Sequence, residues 1–190
     1  KKVDKLFRPL LRGSLMNRYQ TNWGNNYWIK FGDWLAEPRY SANYDAKEKI
    51  IIRQTGDHLN ATLDTKQFIV RDNLYTITSN GSEINLRYIL GLINSKFLNW
   101  YYQNIINPEK GEALAQVKRG HIAQLPIKLC GKKEISSQNE IVKQVDILLK
   151  LNEELKDEKL QTKIEQLKQR IEHSEEKLNQ AVERVLKWHN

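Results

Sequence analysis

Lys49-Ile50-Ile51-Ile52-Arg53-Gln54-Thr55-Gly56-Asp57 joins three consecutive isoleucines to a Gly-Asp turn. β-Branched side chains are stiff in a helix and suit a pleated surface, so Lys49 to Arg53 reads as a short buried strand. Three further strand candidates lie nearby. Tyr27, Ile29 and Phe31 alternate with Trp28 and Lys30, and both Phe68-Ile69-Val70 and Leu74-Tyr75-Thr76-Ile77-Thr78 are rich in β-branched and aromatic residues. Gly56-Asp57, Asp72-Asn73 and Asn80-Gly81 supply the turns between them. After the last turn the pattern changes period. Leu86, Ile89, Leu90, Ile93, Phe97 and Tyr101 share one helical face, with Asn80 or Ser82 available as N-cap. A loop around Pro108 to Gly111, a basic segment Val117-Lys118-Arg119-Gly120-His121 and an extended Leu125-Pro126-Ile127 follow. Strands before helices predict an α+β fold built on a mixed sheet with packed helices.

From about Ser136 to Trp188 the chain has no Pro or Gly and is rich in Glu, Lys, Gln and Leu, all good helix formers. One apolar stripe runs through Ile141, Val145, Leu148, Asn152 and Leu155. A second runs through Leu160, Ile164, Leu167, Ile171, Ser174, Leu178, Ala181, Val185 and Trp188. The five-residue step from Leu155 to Leu160 breaks their phase at the charged Lys156-Asp157-Glu158-Lys159. Either a helical hairpin turns there or a long coiled coil slips register. The hairpin is favoured, because one straight helix would reach about 75 Å. Asn152 and Ser174 on the stripes are candidates for fixing register or partner. The chain thus divides into residues 1–135, an α+β domain, and 136–190, a helical extension.

The 190 residues suffice for one well-cored domain with an appendage. A net charge of +8 is unevenly placed: of 31 Lys/Arg and 23 Asp/Glu, 10 and 11 lie from Ser136 onward, leaving 21 against 12 before it. A basic domain joined to a near-neutral tail predicts a polyanion partner for the first and a protein partner for the second. No apolar run approaches the roughly 20 residues of a membrane span. Cys130 is the single cysteine, so no internal disulfide or cysteine metal cluster can form, and a reducing, cytoplasmic compartment is expected. The opening Lys1-Lys2-Val3-Asp4 lacks an initiator Met and an apolar signal segment, as expected of a piece of a larger protein.

Six stretches, in order, carry a family likeness. Arg8-Pro9-Leu10-Leu11-Arg12-Gly13-Ser14 with Asn17-Arg18-Tyr19 resembles the opening of the TaqI-like C-terminal specificity domains of restriction-modification enzymes. Trp34 to Arg39, Lys49 to Asp57 and Ala61-Thr62-Leu63-Asp64 resemble the same family. So do Tyr88 to Lys96, similar to its "LLGILNSK" helix, and the closing Leu125-Pro126-Ile127. Gln138 to Asp146 is similar to the start of the helices in type I specificity subunits, whereas the tail departs from the family's usual ending from about Asp157. The resemblance implies a domain that reads double-stranded DNA for an adenine-N6 methyltransferase using S-adenosylmethionine, often fused to a Mg²⁺-dependent nuclease. No Asn-Pro-Pro-Tyr motif or glycine-rich cofactor loop occurs here, so no cofactor or metal is expected in this chain. The catalytic portion of the parent enzyme is the expected protein partner, and the tail could also join two copies of the chain.

Reading a duplex takes cations for phosphates and forked donors or amides for base edges. Arg12, Arg18, Arg39, Asn43, Arg53, Gln54, Asn60, Lys118 and Arg119 supply such groups. Each singly also reads as a solvated or structural charge, and Arg8 beside Pro9 reads as structural. Tyr19, Trp23, Tyr27, Trp28, Trp34, Tyr40 and Tyr44 could stack on an extruded base, but core packing is the expectation for the tryptophans. Two alternatives stand beside DNA recognition. One is a structural helical adaptor with incidental charge; the other is a metal-dependent nuclease using Asp57, Asp64 and Lys66. Asp57 is preferred as a turn residue beside Gly56. His58, His121 and Cys130 lack a nucleophile or ligand cluster in sequence reach, and no catalytic residue is assigned.

Overall fold

The structure, a computed structural model, describes residues 4–186. Its strands are β1 (Phe7–Leu11), β2 (Met16–Asn17), β3 (Gln20–Thr21), β4 (Trp28–Lys30), β5 (Lys49–Arg53), β6 (Ala61–Asp64), β7 (Ile69–Val70) and β8 (Leu74–Ile77). The helices α1 (Leu86–Asn94), α2 (Lys96–Tyr101), α3 (Arg119–Ile122), α4 (Ile135–Asp157) and α5 (Gln161–Leu186) follow. The α+β class stands. A mixed sheet has the order β4-β1-β7, with β1 antiparallel to β4 and parallel to β7. Two antiparallel sheets complete the strands, the β2-β3 pair and β6-β5-β8.

The isoleucine run lies in the middle of the last sheet and is buried on both faces. Ile50 and Ile52 enter the larger core with α1, whereas Ile51 points the other way into a smaller core with Leu11, Met16, Phe68 and Leu74. A strand covered on both sides shows no polar alternation, which is why it reads as a continuous apolar run. Lys49 begins the same strand and is fully buried, opposite Asp64 in the register of β6.

Residues Leu86 to Tyr101 depart from the single helix expected. Asn85, and neither Asn80 nor Ser82, is the N-cap: its side chain accepts the N–H groups of Arg87 and Tyr88. Asn80 and Gly81, both with positive φ, and Ser82, bonded back to Ser79, are spent in the preceding turn. The helix then breaks at Ser95, whose backbone is extended and whose hydroxyl accepts the Leu98 N–H to start α2. The break leaves Phe97 partly exposed.

The tail is a hairpin. Glu158 is extended, and its carboxylate accepts the N–H groups of Lys159 and Leu160, reversing the chain between α4 and α5. The returning helix pairs Ser174 with Gln144, the serine Oγ donating to Gln144 Oε1 at 2.6 Å in a buried position. Ile141, Val145 and Leu148 of α4 and Leu178, Ala181, Val182 and Val185 of α5 all join the larger core. Leu151, rather than Asn152 or Leu155, continues the buried stripe, and Leu160 is exposed. Trp188 lies outside the described residues.

α1 is sandwiched between the β6-β5-β8 sheet and this hairpin, so seven of its nine residues are buried. Gly91 permits the approach: a Cβ there would stand 2.5 Å from Ile141 Cγ2 and 3.0 Å from Val145 Cγ2. At the far end of α1, Asn94 acts as a strand edge. Its amide donates to the Ala61 carbonyl at 2.9 Å and accepts the Ala61 N–H at 3.1 Å, closing the outer edge of β6.

Candidate nucleic-acid interface

The turn between β7 and β8, Arg71-Asp72-Asn73, organises a ring of polar side chains. The Arg71 N–H donates to the Leu11 carbonyl at 3.1 Å, bringing Arg71 beside Arg12 at the end of β1. The Gln54 N–H donates to the Asn73 carbonyl at 3.0 Å, which sets the end of β5, with Arg53 and Gln54, on the same turn. Gln54 in turn accepts the Val117 N–H at 2.7 Å, drawing in Lys118 and Arg119. A groove of about 600 Å³ runs from Arg119 across Tyr75 and Ile77 of β8 to Arg39 and Tyr40. A second groove, of about 320 Å³, is lined by both Arg39 and Arg71.

Within the ring, each cation is held lightly. Arg12 lies over the Tyr27 ring, 5.0 Å from its centroid. Arg39 pairs with Glu37 at 3.2 Å and Arg71 with Asp72 at 3.7 Å, both in exposed positions. Arg53 Nε donates to the Thr55 carbonyl at 3.1 Å, and Arg119 is exposed at the start of α3. Lys118 forms an ion pair with Glu109, whose other oxygen accepts the Gln116 N–H at 3.1 Å. The Lys118 hydrogen bond holds the Glu109 carboxyl below its ordinary value, with the Gln116 backbone adding to the effect. Exposed pairs of this kind contribute little to stability.

Three of the nine sequence candidates are engaged in holding the fold: Arg18 and Asn60 stand away from the ring, whereas Asn43 lines the larger groove. Arg18 donates to the Asn94 carbonyl at 3.0 Å and pairs with Glu175 of α5 at 2.9 Å, fastening the β2-β3 hairpin to the helices. Asn43 donates to Thr76 Oγ1 at 3.0 Å and accepts from Thr78, tying its 3-10 turn to β8. Asn60 is 6% exposed, too deep to meet a duplex, and its Oδ1 has no hydrogen-bond partner among the described residues. Arg71, Glu109 and Gln116 belong to the ring but were missed by sequence reasoning. Arg71 sits beside a turn signal that could have marked it; nothing local distinguishes Glu109 or Gln116.

The nuclease alternative fails on geometry. Asp64 is fully buried, bound to Lys49 Nζ at 2.6 Å and accepting the N–H groups of Lys66 and Phe68. Asp57 lies beyond the opposite end of β6, in a turn where its carboxylate takes His58 and the Gly111 N–H. The His58 contact, above all, lowers the Asp57 pKa. The two acids therefore cannot share a metal ion. The aromatic expectation holds for Trp23, edge-on to Phe68 at 5.3 Å and to Trp28 at 5.2 Å. It fails for Trp34, which is 63% exposed beneath the Lys30 ammonium.

No curated protein matches the chain. The family model for the TaqI-like C-terminal specificity domain matches residues 8–127, from the first paired strand to the segment that leads into the helical hairpin. That span contains every member of the polar ring and covers well over half of the sequence. The chain belongs to the TaqI-like C-terminal specificity domains, and a role in DNA recognition for restriction-modification comes with that membership.

Proposed function

We propose that the ring around Arg71-Asp72-Asn73 is the surface that reads a specific duplex sequence and directs an adenine-N6 methyltransferase or endonuclease portion to it. The observation that carries this reading is that Arg12, Arg39, Arg53 and Arg71 gather from separate segments at one turn, with Lys118 and Arg119 joined to them through Gln54 and the larger groove. Cations in this arrangement contact phosphates and fix register, while Gln54 and the forked arginines address base edges. S-Adenosylmethionine and Mg²⁺ belong to the catalytic portion, against which the outer faces of α4 and α5 dock.

Selection from a random duplex pool with the full chain, followed by binding of the selected site over a range of salt, tests the reading. A defined sequence should emerge, and log affinity should fall linearly with log salt, because each neutralised phosphate releases nearly one counterion. A flat salt response, or a pool that stays random, refutes it. Those results would favour a helical adaptor with incidental charge.

A further inference from the structure

Gln54 and Gln116 meet side chain to side chain: Gln54 Nε2 donates to Gln116 Oε1 at 3.2 Å. We infer that Gln116 is a positioning residue that orients the Gln54 amide to recognise adenine in the major groove. The inference rests on the DNA-reading surface proposed above and names the base pair that one of its members reads.

A free glutamine on a surface rotates about three bonds, and its amide presents oxygen and nitrogen interchangeably. Such a group distinguishes bases poorly. Here both backbones are fixed. Gln54 N–H and C=O are bonded to Asn73 and Val117. Gln116 N–H is held by Glu109, its carbonyl accepts from the Tyr102 hydroxyl at 3.4 Å, and neighbouring Thr55 forms a β-bridge with it. Tyr102 is itself fully buried, and burial raises its pKa to about 12, so its hydroxyl remains a donor. With its backbone held in this way, Gln116 offers its side-chain Oε1 as an acceptor at one side of the Gln54 amide.

A primary amide has two hydrogens. With one given to Gln116, the other stands beside Gln54 Oε1, which accepts from none of the described residues, so the pair presents an acceptor next to a donor. Adenine alone among the bases offers the complement on its major-groove edge, the N6 amino donor beside the N7 acceptor. Guanine places two acceptors there and would face the Gln54 oxygen with its own O6. The preference therefore depends on the amide being held the right way round, and that is the work of Gln116.

Duplex selection with the full chain and four variants, each checked by thermal unfolding, tests this. The unaltered chain should select a site with an A·T pair whose preference of about tenfold disappears in Gln54→Ala. In Gln54→Glu the same position should turn towards cytosine, whose amino group a carboxylate accepts. Gln116→Ala should flatten that one position and leave the others intact. Gln116→Glu keeps the acceptor and should retain the adenine preference while weakening all sequences alike through its charge. If Gln116→Ala returns the original sequence, or if Gln116→Glu loses the preference as fully as Gln116→Ala, the positioning role is wrong while DNA recognition stands. If the unaltered chain selects nothing, recognition and this inference fall together.

Discussion

The ion pair between Lys49 and Asp64 shows how one side chain can be read correctly by type and wrongly by purpose. An aspartate followed by a lysine suggests metal chemistry in a linear sequence, because its true partner lies on the preceding strand. In the structure Lys49 Nζ stands 2.6 Å from the Asp64 carboxylate, and both side chains are fully buried. Removing one member of such a pair leaves an uncompensated charge in a poorly polarisable interior. Asp64→Ala should therefore lower stability by about 3–5 kcal/mol in urea unfolding; a loss below about 1 kcal/mol would show that the lysine finds water. Arg18 and Asn43 follow the same logic. Their chemistry was legible, but their acceptors on Asn94, Glu175 and Thr76 lie far along the chain, where no local pattern announces them. Arg12, Arg39, Arg53 and Arg119 were legible as polar groups on a basic surface, because they flank strands and turns and no core residue competes for them.

Elements were readable where one pattern dominated. β5, β8 and both tail helices follow from β-branched runs and apolar spacing, whereas β1 is interrupted by Arg8 and Pro9, and β6 mixes Ala, Thr, Leu and Asp. Those two strands owe their pairing to tertiary partners: Arg8 to Asp45 and the Tyr44 carbonyl, β6 to the Asn94 amide and Lys49. The close contact of α1 with α4 leads to a counter-intuitive result. Gly91→Ala improves intrinsic helix propensity by about 1 kcal/mol, yet it forces a methyl into Ile141 and Val145. Overpacking of this kind costs about 1–3 kcal/mol, and both neighbours are β-branched and cannot swing aside. The thermal midpoint should fall, and a rise would mean that the hairpin yields. The loop carrying Glu109 makes a second case. Its depressed pKa means that the folded loop favours the ionised carboxylate, so the clamp is complete above the ordinary value of 4.5 and is lost as pH falls through the lower, folded value. The Gln116 amide resonance should titrate with a midpoint below 4.5; a midpoint at or above it would show that Lys118 does not hold this acid.

At the scale of the molecule, the hairpin is part of the main core. Ile141, Val145, Leu148, Leu178, Ala181, Val182 and Val185 fill one side of it, so a chain ending before Ile135 exposes the outer face of α1. Such a truncation should lose cooperative unfolding and near-ultraviolet circular dichroism; a sharp transition in residues 1–134 would show that the sheet and α1 suffice. Charge distribution was legible from the sequence because it needs only counting, but the way in which helices and strands share one core was not. That sharing depends on Gly91 and on the Ser174–Gln144 contact, each a single residue in an otherwise ordinary pattern. The polar ring, by contrast, is made of turn ends and exposed side chains that carry almost none of the core. Substitutions on exposed positions of this kind usually change stability by no more than about 0.5 kcal/mol. If the ring reads DNA as proposed, a lineage can pass from one recognised sequence to another through single replacements there, each intermediate remaining folded, and the scaffold becomes a durable vehicle for divergence in what it binds.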